Sequence, residues 1–464
     1  MKRTKGIRFA ICLLLFVVLL SACAGGKDAN NAPEDAAAGE GQGAAEQAEQ
    51  AEAAEQPAEE VKITFFNTSA EVNAVFEELF KTYHELNPNI TVELIPTPIG
   101  GAQLEKFQSL VASGNPATIA NLDAGTILQY KDNFLDLESE KAKYEALTKP
   151  GAVEGAMLDG KFLGVPWTAQ GYGLLYNKAA VEEAIGGTFD PAAVKTRSDL
   201  EALFQKIEAA GKAPVMIHGA DWSLGAHYLG LTYSLQSQSV DENRQFVERL
   251  KNGEVDLTTN PQFNGLMDTF DLLKKYNARK SDPLVADYMK DSTDFANGDA
   301  AFYFMGDWTW AVIGTLEGRD EEFGVIPVPI SDNPDDYGNA QVAYSQPKLF
   351  AIDNSGSTPA QQEAAKAFLE WLVTSEQGQK AIVSDMGLSM PYKDVKAQST
   401  NVISNSVSEY VDQGQIIDIG VINYFPQDYW AKTGASMQKY LVDNIDRAAL
   451  AQEVTDYWKS YAGQ

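Results

Sequence analysis

Cysteine is nearly absent from this chain of 464 residues, which has two, Cys12 and Cys23. A disulfide framework of the kind that staples small secreted domains is therefore excluded, and the fold must rest on apolar burial. Histidine is as scarce: His84, His218 and His227 match no metal-ligand spacing. Positive charge is in short supply, with 36 Lys and Arg against 65 Asp and Glu and a net charge of −29. That balance argues against binding nucleic acid or acidic lipid through a basic surface. The apolar run Phe9 to Leu20 falls short of the roughly 20 residues a membrane-spanning helix needs, and no later run reaches it. Signatures of hydrolytic and phosphate chemistry are missing too. There is no G-x-S-x-G, no H-E-x-x-H, no Cys/His pair and no G-x-x-x-x-G-K-[ST] loop.

What is present begins with a processing signal. Lys2, Arg3, Lys5 and Arg8 precede the apolar run, and Leu20-Ser21-Ala22-Cys23 ends it with small residues before a thiol. Charged start, apolar middle and small-residue end describe an export signal, residues 1–22, that is removed. Leu-Ser-Ala-Cys resembles the lipobox of bacterial lipoproteins, which implies a lipidated Cys23 at the mature N-terminus. From Ala24 to Glu60 the chain is almost entirely Ala, Glu, Gln, Gly and Asp, with no aromatic or β-branched residue. Such a segment cannot offset its ordering entropy, so residues 23–60 are expected to be a disordered tether.

From Val61 the composition turns globular, and some four hundred residues point to two lobes rather than one core. Val61 to Phe66 alternates as a strand. Val72, Val75, Phe76, Leu79, Phe80 and Tyr83 share a helix face stopped by Asn87-Pro88, and Ile90 to Ile95 is a second strand. Strand, amphipathic helix, strand is the unit of a mainly parallel α/β sheet. Downstream, Ser198 and Glu201 predict a capping box, Pro214 to Ile217 a strand, and Pro359 the start of a helix. Ligands of open α/β sheets sit at carboxyl ends of strands. The loops after Phe66, Ile119, Ile217 and Met305 are therefore the ones to watch.

Gly160-Lys161-Phe162-Leu163-Gly164-Val165-Pro166 and Gly171-Tyr172-Gly173-Leu174-Leu175-Tyr176-Asn177-Lys178 resemble the signature of family 1 extracellular solute-binding proteins. Phe295 to Ala301 leading into Met305-Gly306-Asp307-Trp308, and Ala364 to Leu372 followed by Ser375-Glu376-Gln377, agree in order. Leu110 to Pro116 matches a further turn, although Ala117 stands where aspartate is usual. The likeness covers Val61 to Gln464. It implies a two-lobed type II binding-protein fold, each lobe a mainly parallel sheet flanked by helices and joined by hinge crossover strands. It places the N-terminal lobe at 61–168, the C-terminal lobe at 169–343, a return segment of the first lobe at 344–395, and C-terminal helices of the second lobe at 396–464. It also implies a non-enzymatic lipoprotein, a monomer on the outer face of the cell membrane. That protein would carry a carbohydrate to an ABC permease whose ATPase is a separate chain. No cofactor, metal or nucleic acid is called for.

A sugar needs flat apolar platforms for its C–H faces and polar groups in the ring plane. Loop position and resemblance together nominate Trp308 with Asp307, Trp222, and Gln170 and Tyr172 in the crossing segment. Asn67, Ser69, Glu71 and Asp123 would supply polar contacts, and Tyr424, Phe425 and Trp430 an aromatic wall. Trp310, Trp371 and Trp458 are assigned to core. Glu71 and Asp123 fit helix N-caps as well as ligand contacts. Few Lys or Arg occupy the four loops, which disfavours an anionic ligand. Two other functions use a similar groove: a surface glycosidase with paired carboxylates, and a ligand sensor feeding a membrane kinase.

Overall fold

Two mixed sheets, each with helices on its faces, organise the computed structural model, which describes residues 59–97, 103–149 and 152–463. The leader, Cys23 and the tether up to residue 58 lie outside the described residues. No helix among the described residues is long and apolar enough to cross a membrane.

The first sheet has the strand order Ile90–Ile95, Val61–Asn67, Ile119–Asp123, Lys348–Ile352, Val165–Pro166. Its first three strands are parallel, with Val61 opposite Ile90 and Phe65 opposite Ile119. Lys348–Ile352 runs against both of its neighbours. Phe65 and Phe66 are both buried because helices cover both faces of the central strand. The helix Asn73–Leu86 turns Phe76, Leu79, Phe80 and Tyr83 inward. The Phe65 ring lies 4.8 Å from that of Phe76 and 5.2 Å from that of Phe80. Each fully buried ring of this kind contributes about 1.5–3 kcal/mol.

The second sheet runs Ile416–Asp418, Val342–Ser345, Gln170–Asn177, Ala300–Gly306, Ala213–Ile217, and Phe323–Ile326 pairs with the far half of Gln170–Asn177. The chain passes from the first sheet to the second between Pro166 and Gln170 and returns between Ser345 and Lys348. The two passages lie side by side, with Gln170 opposite Ser345 and Gly171 opposite Tyr344. A third link follows Tyr392, and Asn401 anchors it: its Nδ2 donates to the carbonyls of Gly387 (2.5 Å) and Asp307 (2.9 Å).

Local signals acted mostly where expected, with two corrections. The helix Arg197–Ala209 is capped by Thr196, whose Oγ1 accepts from the Asp199 N–H at 3.1 Å. Ser198 is already inside the first turn, where its own N–H is taken by Asp332, so the Ser198–Glu201 box does not form. Asn121 to Asp123 belong to the strand rather than to a loop. Pro359 does open its helix, behind a reciprocal Thr358–Gln361 box. Trp310 and Trp458 are buried, and Trp371 packs on the first core.

Candidate functional site

The strand Ala300–Gly306 is buried throughout, and so are Asp307, Thr309 and Trp310; within this stretch only Trp308 retains partial exposure. Its indole lies 5.0 Å from the His227 ring and 6.2 Å from the buried Tyr172 ring. The Tyr172 hydroxyl donates to the His227 carbonyl at 3.2 Å. His227 lies 5.4 Å from Trp222, and Trp222 lies 5.1 Å from His218 and 6.3 Å from Tyr288. Six rings from four parts of the sequence thus form one continuous row on the second lobe.

An unusual helix sets the row's middle. Residues Trp222–Leu229 form a π-helical segment in which the Gly230 N–H reaches back to the Gly225 carbonyl at 3.1 Å. Trp222 and His227, five residues apart, meet because one π turn spans about that number. The segment is held against the helix Tyr429–Leu441 by backbone contact. A Cβ on Gly225 would fall 2.6 Å from the Gly434 nitrogen, so only glycine allows this approach. Behind the row, His218 Nδ1 sits 2.8 Å from the buried Asp291, and Arg279 closes on Asp291 at 2.6 Å and Asp294 at 2.7 Å. That chain of charges fixes the His218 ring. Burial first, then His218 and Lys348, pushes His227 down to about 3, so it presents a neutral ring.

The first lobe faces this row with polar groups. Lys348, at the start of its strand, is 3.3 Å from Asp123 and donates to Thr68 Oγ1 at 2.8 Å. Glu71, in the short turn Ala70–Val72, is enclosed enough that burial raises its carboxyl pKa, against its own backbone N–H and Lys348. Burial, and after it the charge of Glu71, raises the Tyr288 phenol of the second lobe. The lobes also meet at Gln108, which donates to Gln427 at 3.1 Å, and at Gly125, beside the Asn423 carbonyl.

The nominated residues divide. Tyr172, Trp222 and Trp308 share the ring row, while Glu71 and Asp123 converge around Lys348 opposite it. Asp123 precedes a helix without capping it by its side chain, being paired to Lys348 instead. Gln170 is half-buried on the hinge strand, and Trp430, 37% exposed, starts the helix that braces the π segment. Five residues are placed otherwise. Asn67 is fully buried and consumed inside its lobe, donating to the Ser69 carbonyl and Asn73 and accepting from Asn121. Ser69 is buried in the same turn. Phe425 is core, with Tyr233, Tyr429 and Trp458 rings within 5.1 Å. Asp307 is buried beneath Trp308, where it accepts from Ser404 at 2.8 Å and burial raises it to about 7. Tyr424 stacks under Arg244 at 3.9 Å, beside an open crevice of about 470 Å³ that includes no residue of the ring row.

His218, His227, Tyr288 and Lys348 were not nominated. Lys348 was within reach, because it follows the second crossing segment directly. It lies outside the four loops read as poor in Lys and Arg, and Asp123 pairs with it.

Comparison with known proteins agrees with this architecture. A probable sugar-binding periplasmic protein of Mesorhizobium japonicum is 28% identical over 216 residues, 45% of this chain and 48% of that one. The chain spans about half the length of the first curated relatives it matches. The solute-binding protein RafE in complex with raffinose superposes with a TM-score of 0.70 at 20% identity, over 87% of this chain and 100% of that one. Maltose-bound MalE3 of T. maritima gives 0.69 at 20% identity, over 86% and 99%. These likenesses establish the two-lobed type II fold. Residues 78–411, well over half the chain, match the family described as bacterial extracellular solute-binding protein, and the chain belongs to that family.

Proposed function

We propose that the protein is a carbohydrate receptor held on the outer face of the cell membrane by lipid on Cys23. It takes an oligosaccharide or related polyol between its lobes and passes it unchanged to an ABC permease driven by a separate ATPase. The single observation that carries this reading is the row of rings on one lobe facing Glu71, Asp123 and Lys348 on the other. Rings match the C–H faces of a pyranose, and carboxylate and ammonium groups match its hydroxyls. Lobe boundaries at 61–168 with 344–395, and 169–343 with 396–464, put the hinge beside Gln170 and Ser345. Solute touching both lobes would favour the closed form, which the permease would read.

A melting screen against oligosaccharides tests the reading. A true ligand at 100 times its Kd stabilises by about 2.7 kcal/mol. A panel of neutral and substituted sugars in which none raises the melting temperature contradicts it.

A further inference from the structure

Three acids are buried among the described residues: Asp291, Asp307 and Asp353. Two of them are compensated. Asp291 is held by Arg279 at 2.6 Å and His218 Nδ1 at 2.8 Å. Asp353 accepts from the N–H groups of Ser355, Gly356 and Ser357 at 3.0, 2.8 and 2.7 Å. Asp307, 1% exposed, accepts one bond at Oδ2, from Ser404 Oγ at 2.8 Å, while its Oδ1 is buried without a partner. No Lys, Arg or His among the described residues pairs with it. A carboxylate so enclosed and so little compensated is costly, and the group keeps a proton instead. Burial accordingly raises it to about 7, against Ser404 and the N–H groups of Gly171 and Trp308.

The position of that proton gives it a mechanical consequence. Asp307 follows the strand Ala300–Gly306, where Gly306 pairs with Tyr172 of the first crossing, and Gly171 pairs with Tyr344 of the second. The third link ends there too, because Asn401 Nδ2 joins the Asp307 carbonyl to that of Gly387 in the first lobe. Just beyond, Trp310–Ile313 packs on the first-lobe turn Ala70–Val72, and Ala311 packs on the first core. All three passages between the lobes thus meet around one carboxyl group. The titratable groups around it are phenols: Tyr172 of the first crossing, Tyr344 of the second, and Tyr288 of the helix Tyr288–Ala296. Burial keeps all three protonated at neutral pH. The helix Val402–Asp412 presents Ser404 to it, and Trp310–Ile313 carries no ionisable residue.

We propose that Asp307 is a proton switch on the hinge: with its proton the carboxyl stays dry and the lobes stay together, and without it the links part to admit water. Lobe closure then takes up a proton, and so does any solute that favours closure. The closed form holds the proton up to about pH 7, and a hydrated carboxyl holds it only to about pH 4. The closed-to-open ratio therefore falls as pH rises from about 4 to 7 and levels off beyond. The inference needs no particular solute and stands apart from the carbohydrate reading.

Small-angle scattering of the ligand-free protein between pH 5 and pH 8, fitted as a mixture of two lobe arrangements, tests this. The wild-type closed-to-open ratio is expected to fall at least tenfold across that range. Asp307→Asn, which keeps the neutral shape, is expected to hold the ratio constant. The rest of the chain titrates alike in both proteins, so the difference between them reports Asp307. Where Asp307→Asn does not fold, Ser404→Ala decides. It removes the one hydroxyl bonded to the carboxyl and should move the transition to higher pH. A wild-type ratio unchanged by pH, a pH response that survives Asp307→Asn, or a Ser404→Ala transition that stays in place each overturns the proposal.

Discussion

The indole of Trp308 lies directly over the backbone of Gly306, so that a Cβ on Gly306 would sit 2.0 Å from the ring. Gly306 has extended φ and ψ that any residue can adopt. Its side chain is absent because the ring occupies that space, not because the backbone requires it. Gly306→Ala is therefore expected to displace the indole and weaken sugar binding at least tenfold, or about 1.4 kcal/mol. Titration calorimetry on the variant, with circular dichroism to confirm folding, checks this.

Trp308 itself is partly exposed and packs against the edges of two cores. Truncating a fully buried tryptophan costs about 3–5 kcal/mol. Trp308→Ala should fall below that range in ligand-free denaturant unfolding while binding drops by at least tenfold. The fully buried Trp458 provides the contrast: Trp458→Ala should show the full stability cost.

Much of this was legible in the sequence, for identifiable reasons. The Val61 to Ile95 unit could be read because its helix has a clean apolar face and a proline stop. Trp308 and Trp222 could be read because each follows an apolar strand. His227 could not, since its meeting with Trp222 depends on a π turn that no 3.6-residue pattern reveals. Asn67 and Asp307 misled for a shared reason. Both stand at strand ends where ligands gather, but Asn67 is consumed by neighbouring backbone and side chains, and Asp307 is buried with its Oδ2 taken by Ser404. Phe425 was a wall by composition and proved core by packing.

Two buried groups make opposite contributions to the pH dependence of stability. Asp307 keeps its proton up to about pH 7 when folded but loses it near 4 when unfolded. The folded state thus binds more protons between those values, and this contribution to stability is lost as pH rises from about 4 to 7. His227 stays neutral down to about 3 when folded and protonates near 6.5 when unfolded, so its contribution falls as pH drops through that interval. Asp307→Asn should remove the decline toward pH 7, and His227→Gln the decline toward pH 3. Urea midpoints measured from pH 4 to 8 separate them.

Between the lobes, Gln108 donates to Gln427 at 3.1 Å. A neutral hydrogen bond contributes about 0.5–1.5 kcal/mol net. Gln108→Ala should shift the ligand-free open-to-closed ratio by about two- to twelvefold toward open, the range that those energies give. Small-angle scattering should record a larger radius of gyration without ligand and the wild-type value with it.

The central claim is that a sugar lies on the ring row formed by Trp308, His227 and Trp222. Calorimetric titration of wild type, Trp308→Ala and Trp222→Ala with the oligosaccharide selected by the melting screen tests it most directly. The account predicts a one-to-one complex in the wild type and at least tenfold weaker binding in each variant. Unchanged affinity in both variants would contradict it.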